Sequence, residues 1–552
     1  MNKNFLLALT LFICLLSCKA QNVSEAKIEP LKSEKPRLVV GIVVDQMRYD
    51  YLTRFYNRFG EAGFKRLVEE GFNCKNNHFN YVPTYTGPGH ASIFTGTTPK
   101  YHGIIANNWY DKDTKEWVYC AGDDSVASVG TIGSIGQMSP HRLTVTTFAD
   151  ENRLFTQMRG KSIGISLKDR GAVLPVGHTA NAAYWFSGKK EGRWISSSHY
   201  FSDLPEWVKR FNAAEKAKAY LKRWETYYDI ETYVESGPDL NDFEEGFKGK
   251  STATFPYELE SLSANNGGLD ILKVTPFGNS LTTDFALAAL DGEQLGADDI
   301  TDVLTVSYSS TDYVGHNFGV NSKEIEDTYI RLDMDLARLF SGLDQKVGKG
   351  NYTVFLTADH GAVDVPSYLK SVKIPSGYLD NEELKTNLKD FAEKTFGATD
   401  LIEHISNHQV FLNRDKIEAL KISLEEVQEV FVEELITYPN IYKVYSAKVM
   451  RSVDFVEGIE ALLQKGYNQK RSGDILLVPD PAYVSYMKTG STHGSGMDYD
   501  THVPLLFFGK SIAHGETFER TDITDIAPTM SALLGIAFPN GNIGKPLGFL
   551  LR

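Results

Sequence analysis

Four stretches of the chain are continuously apolar and rich in β-branched residues, the pattern of strands buried on both faces of a parallel sheet. RLVVGIVV runs to Val44 and stops at Asp45, and DITDVLTVSY runs to Tyr308, followed by Ser309, Ser310, Thr311 and Asp312. YTVFLT ends at Thr357, just before Asp359, His360 and Gly361, while VPLLFF, starting at Val503, comes after Ser491, Thr492 and His493. Between these runs, apolar residues recur at three and four spacing, as over residues 323–343, which predicts amphipathic helices. Strands separated by helices predict an α/β fold with a mostly parallel central sheet, in which ligands bind beyond the carboxyl ends of the strands. The acidic and histidine residues that follow the strands are therefore expected to meet at one edge, far apart as they are in sequence.

Residues 36–552 read as one core domain interrupted twice, at about 140–279, rich in Trp and Tyr, and at about 365–488, which carries helix and strand signals of its own. Such segments commonly roof a site. Ahead of this domain, a short positive start, an apolar run over residues 5–16 and LLSC ending at Cys18 predict an export signal over residues 1–18. The run is too short to span a bilayer. Its ending resembles a bacterial lipobox, with Cys18 lipidated, the alternative being plain cleavage near Ser17 to Ala20. Residues 19–35 are polar and read as a tether. The protein is thus expected to be exported, in the periplasm or as an outer-membrane-anchored lipoprotein, touching membrane only through its lipid. In that oxidising compartment Cys74 and Cys120 are expected to form a disulfide, the alternative being two buried thiols.

Composition adds exclusions. A formal net charge of −14 without a Lys/Arg cluster excludes extended nucleic acid as a partner. An anionic substrate would need local cations.

The strand-end residues Asp45, Asp312, His316, Asp359, His360 and His493 are the candidate ligands. Asp312 and His316 stand four apart, one helical turn. Singly, each is an ordinary turn or core residue. Repeated at one edge, six such groups suffice for two zinc ions with three protein ligands each, the open coordination of catalytic sites. YVPTYTGPGHASIFTG (81–96) supplies a hydroxyl: Pro88 fits the first turn of a helix, which puts Thr86 just outside a helix N-terminus that favours anions. Thr84 is the rival nucleophile, Thr86 as a mere helix cap the bland alternative, and His90 reads as structural.

Asp45 after VVGIVV, Thr86 in TGPGH, Asp312 with His316, ADHG at 358–361 and THGSGMDYDTHVPL at 492–505, in that order, resemble the alkaline phosphatase superfamily. Within it they resemble the nucleotide pyrophosphatase/phosphodiesterase arm and its PafA-type periplasmic alkaline phosphatases. The resemblance spans nearly all of the mature chain. It implies a three-layer sandwich with two cap segments. One zinc would be held by Asp312, His316 and His493, the other by Asp45, Asp359 and His360, with Thr86 as a zinc-bound nucleophile that becomes phosphothreonine. Asn107, rather than Asn108, would bind phosphate. Lys168 and Arg170 in ISLKDRGA resemble the Lys-x-Arg element of the monoesterases, and would lie on one face if extended. The implied activity is a zinc-dependent alkaline phosphatase, a monomer, that scavenges inorganic phosphate from small organic phosphate monoesters. The alternatives are a phosphodiesterase of the same superfamily and a non-catalytic surface lipoprotein that binds metal or glycan.

Overall fold

The computed structural model describes residues 35–189 and 191–551; the expected signal, Cys18 and the tether up to residue 34 lie outside the described residues. Ten strands form the central sheet: β1 (Leu38–Val44), β2 (Phe72–His78), β3 (Ser128–Val129), β4 (Ser162–Ser166), β5 (Ala182–Ser187), β6 (Arg193–Ser197), β7 (Asp302–Tyr308), β8 (Tyr352–Thr357), β9 (Leu505–Gly509) and β10 (Gly515–Asp522). Their order is β10-β2-β9-β8-β1-β7-β4-β5-β6-β3. β1 lies between β7 and β8, parallel to both. Every residue of β1, β7 and β8 is buried, which is why these segments are continuously apolar rather than alternating. Their parallel register brings Asp45 and the residues after Tyr308 and Thr357 to the same edge.

β9 runs antiparallel to β8, with Leu505 beside Thr357. Its start, not its end, therefore lies at that edge, and His493, which precedes β9, can join the others there.

Residues 140–279 are not an insertion throughout. They hold β4, β5 and β6, with β4 parallel to both β7 and β5, so this segment builds one side of the sheet. SIGIS in β4 carries only two large apolar residues, and so gave no strong strand pattern. Residues 365–488, by contrast, contain a separate antiparallel sheet made of Ile402–Ser406, Gln409–Leu412, Ile441–Ser446 and Ile475–Pro479. It closes over its own core, which includes Leu388, Val427, Phe431 and Ile475.

The expected disulfide is absent: Cys74 and Cys120 are both free and buried. Cys74 sits on β2 in the main core, while Cys120 packs in a smaller cluster with Ile104 and Trp109. Burial pushes each thiol up to about 12, so neither is a ready thiolate.

Candidate metal centre and nucleophile

The helix α1 (Thr86–Thr95) starts at the sheet edge, buried along its whole length. Tyr85 is its extended N-cap and Thr86 its first residue, one position further into the helix than the sequence suggests, with Pro88 in the first turn. Gly89 is required by contact: a Cβ there would lie 2.3 Å from the Asp359 carbonyl oxygen. The helix thereby closes onto the loop that carries Asp359 and His360.

Thr86 Oγ1 lies 3.5 Å from His360 Nε2 and 3.5 Å from a guanidinium nitrogen of Arg170. The rival hydroxyl of Thr84 donates to the Ser495 carbonyl. The Nδ1 of His90 donates to the Thr86 carbonyl (2.9 Å) and lies 3.3 Å from Asp359 Oδ2, while its Nε2 accepts from Ser307 Oγ (2.9 Å).

Beyond α2 (Asp169–Val176) and α3 (Pro276–Gly292) comes α4 (Ser310–Phe318), on which Asp312 and His316 sit one turn apart. His316 Nε2 is 3.2 Å and His493 Nε2 3.7 Å from Asp312 Oδ1. Asp312, His316 and His493 bring one ligand atom each within 4.8 Å of one another, and Asp45, Asp312 and His360 do the same. Asp312 thus stands in both groups. Asp359, expected beside Asp45 and His360, flanks the second group, with Oδ2 3.6 Å from His360 Nε2.

The donor set fits divalent cations. The Nδ1 atoms of His316, His360 and His493 donate to the carbonyls of Ser491 (2.7 Å), Gly361 (3.0 Å) and Thr84 (2.7 Å), which leaves each Nε2 with its lone pair toward the cluster. Burial lowers the pKa of His360 and, together with the neighbouring imidazoles, that of His493, so both stay neutral. Asp45 Oδ1 and Asp359 Oδ2 are buried without a hydrogen-bond donor. Such atoms are costly unless a cation serves them. Neutral imidazoles mixed with carboxylates suit zinc.

Charge in the cluster is unbalanced. Burial and repulsion from Asp312 and Asp359 push Asp45 well above the ordinary carboxylate range. Asp312, equally buried, is held well below it by His316 and Lys168. The Lys168 ammonium reaches into this cluster, 2.5 Å from Asp312 Oδ2 and 2.6 Å from Asp45 Oδ2. It is Arg170, not Lys168, that approaches Thr86. Lys168 caps α2 and Arg170 is that helix's second residue, so the two side chains diverge, unlike the shared face of an extended segment. Asn107 is half-buried, and its Oδ1 accepts from the Gly87 amide at 2.7 Å, beside Thr86; Asn108 is exposed.

Two further residues had no sequence signal beyond their neighbourhood. Gln46, with a left-handed φ of 65°, donates its backbone N–H to Asp359 Oδ1 (3.1 Å) and its Nε2 to Asp312 Oδ1 (2.9 Å). The Thr311 hydroxyl donates to the Asp45 carbonyl. Gly361 keeps an ordinary φ; its role is room, since a Cβ there would be 2.1 Å from the Tyr499 carbonyl oxygen.

Among the described residues, no helix is long and apolar enough to cross a membrane. Residues 39–503 match the type I phosphodiesterase / nucleotide pyrophosphatase family. The chain is 47% identical to a protein from Myroides odoratus named calcium-transporting ATPase, covering 94% of this chain and 95% of that one. It is 45% identical to alkaline phosphatase PafA from Elizabethkingia meningoseptica, covering 93% of this chain and 94% of that one. The crystal structure of wild-type alkaline phosphatase PafA superposes with a TM-score of 0.91 at 45% identity, over 94% of this chain and 99% of that one.

Proposed function

The chain belongs to the type I phosphodiesterase / nucleotide pyrophosphatase family of the alkaline phosphatase superfamily, and we propose that it is a phosphoric monoester hydrolase, a zinc-dependent alkaline phosphatase releasing inorganic phosphate from small organic monoesters. Support comes from the alkaline phosphatase PafA, similar to this chain both in sequence and, with a TM-score of 0.91, in structure. One observation carries the reading: a hydroxyl at a helix start, Thr86, lies 3.5 Å from both a candidate ligand, His360, and a guanidinium, Arg170.

Asp312, His316 and His493 would hold one cation, and Asp45, Asp359 and His360 the other, with Asp312 near both. Two such ions, when bound, lower the pKa of a nearby hydroxyl and neutralise charge on the attacking and leaving oxygens. Thr86 Oγ1 attacks phosphorus in line with the ester oxygen, and the P–O bond to the alcohol breaks as phosphothreonine forms. Water then attacks the same phosphorus, freeing Thr86 and inorganic phosphate. The N-terminus of α1 and Arg170 face the nonbridging oxygens, and Asn107 borders them. A monoester carries one more negative charge there than a diester, and Arg170 with Lys168 supplies the positive charge that favours it.

The amino-terminal pattern extends the proposal to location. The activity would lie outside the cytoplasm, in a monomer held to the membrane by lipid on Cys18, where it scavenges phosphate.

Steady-state turnover of an aryl phosphate and its methyl diester, for wild type and Thr86→Ala, with elemental analysis of each sample, tests the reading. We expect preference for the monoester, two zinc ions per chain, and a loss of at least about a thousandfold in kcat for the variant. Faster diester turnover would favour the phosphodiesterase, and a zinc-loaded protein that hydrolyses neither would favour a binding role.

A further inference from the structure

A cleft of about 390 Å³ opens from the candidate site: Tyr85, Asn107 and His493 line its catalytic side, and Asn407, Asp480 and Tyr483 its other wall. The second wall belongs to residues 365–488 and its exit, so the separate sheet built by that segment helps shape the space beyond the phosphate. Asn407 Nδ2 donates to the Asn108 carbonyl at 2.8 Å, which ties this wall to the catalytic side.

The chemistry changes along the cleft. At the phosphate end stand the N-terminus of α1, Arg170 and Lys168. Among the described residues, no lysine or arginine lines the cleft itself. Its ionisable acids are Asp480 and Asp500, and buried Asp500 Oδ1 has no hydrogen-bond partner. The remaining lining includes rings, among them the half-exposed Trp117, the amides of four asparagines, and aliphatic and hydroxyl side chains such as Val484 and Thr492. Rings pack against a planar or ring-shaped group, and amides and carboxylates accept hydrogen bonds from hydroxyl or amino groups. A second anion would meet the Asp480 carboxylate in a wall with no lysine or arginine to answer it.

We propose that this cleft receives the alcohol part of the substrate and selects an uncharged, ring-bearing one, such as a nucleoside, a sugar or an aryl alcohol, over an alcohol that carries a further anion. This rests on the monoesterase reading above. Asp480 is its charge filter.

Benzyl phosphate and 4-carboxybenzyl phosphate differ by one carboxylate remote from phosphorus, and their kcat/KM ratio tests the filter. We expect wild type to favour the neutral ester by about tenfold. Asp480→Asn should narrow the ratio, and Asp480→Lys should abolish or invert it. Both esters are read on one preparation, so a poorly folded variant changes the rates but not the ratio. A ratio near one in wild type, or one unchanged in both variants, overturns the filter while leaving the monoesterase reading in place. Failure to hydrolyse either ester, or any other monoester, overturns the function and this inference with it.

Discussion

At the scale of single residues, charge decides where the two neighbouring cations Lys168 and Arg170 go. Lys168 pairs with Asp312 and Asp45, and Arg170 turns toward Thr86. Replacing both by Ala should therefore cut kcat/KM for an aryl phosphate by about a hundredfold or more, and that for the methyl aryl diester far less. Equal losses on both esters would remove these residues from monoester selection. Gln46 acts through others: it holds Asp312 and Asp359 by separate hydrogen bonds. Gln46→Ala should weaken zinc retention by roughly 10- to 100-fold in a chelator competition. Unchanged retention would reduce Gln46 to a packing role. The candidate ligand types were legible in sequence because they cluster at the ends of apolar strands, His493 before one and the others after. Gln46 was not, because a glutamine after an aspartate carries no chemical signature until its partners from other strands are known.

At the scale of elements, close approach governs. α1 touches the loop of Asp359 through Gly89, so Gly89→Ala forces a methyl group against a carbonyl and should destabilise the fold by roughly 1–3 kcal/mol, measurable by denaturant unfolding. A variant as stable as wild type would show that the loop yields. The turn after His493 depends on Asp500, which accepts from the amides of Gly494 (3.1 Å) and Ser495 (2.7 Å). Burial raises the Asp500 pKa to about 7. A carboxyl raised in the folded state stabilises it fully only below the ordinary carboxylate value, and that contribution is lost as pH rises through about 7. The Tm of Asp500→Asn relative to wild type should therefore rise between pH 4 and 7. A constant difference across that range would contradict the assignment. Strong strands such as β1 and β8 were plain from their apolar runs, whereas β4 was not, and the helix that places Thr86 starts one residue earlier than its sequence suggests, with no side-chain cap at Tyr85.

At the scale of the whole molecule, the ligands tie together segments some 450 positions apart in sequence, from Asp45 to His493. Cations bound there stabilise the folded chain by mass action. Removing them with a chelator should abolish hydrolysis and lower Tm, and added zinc should restore both. Activity that survives exhaustive chelation would sink the two-metal reading. The sequence by itself determined the α/β class and the strands that lead into Asp45, Asp312 and Asp359, because burial on two faces demands a narrow choice of side chain. Only the tertiary structure decided that residues 140–279 build part of the sheet, that Cys74 and Cys120 stay apart, that Lys168 sits among the carboxylates, and that residues 365–488 wall the cleft. Those outcomes depend on which strands become neighbours and on how charge balances in a shared interior, and neither is written in any local stretch of the chain.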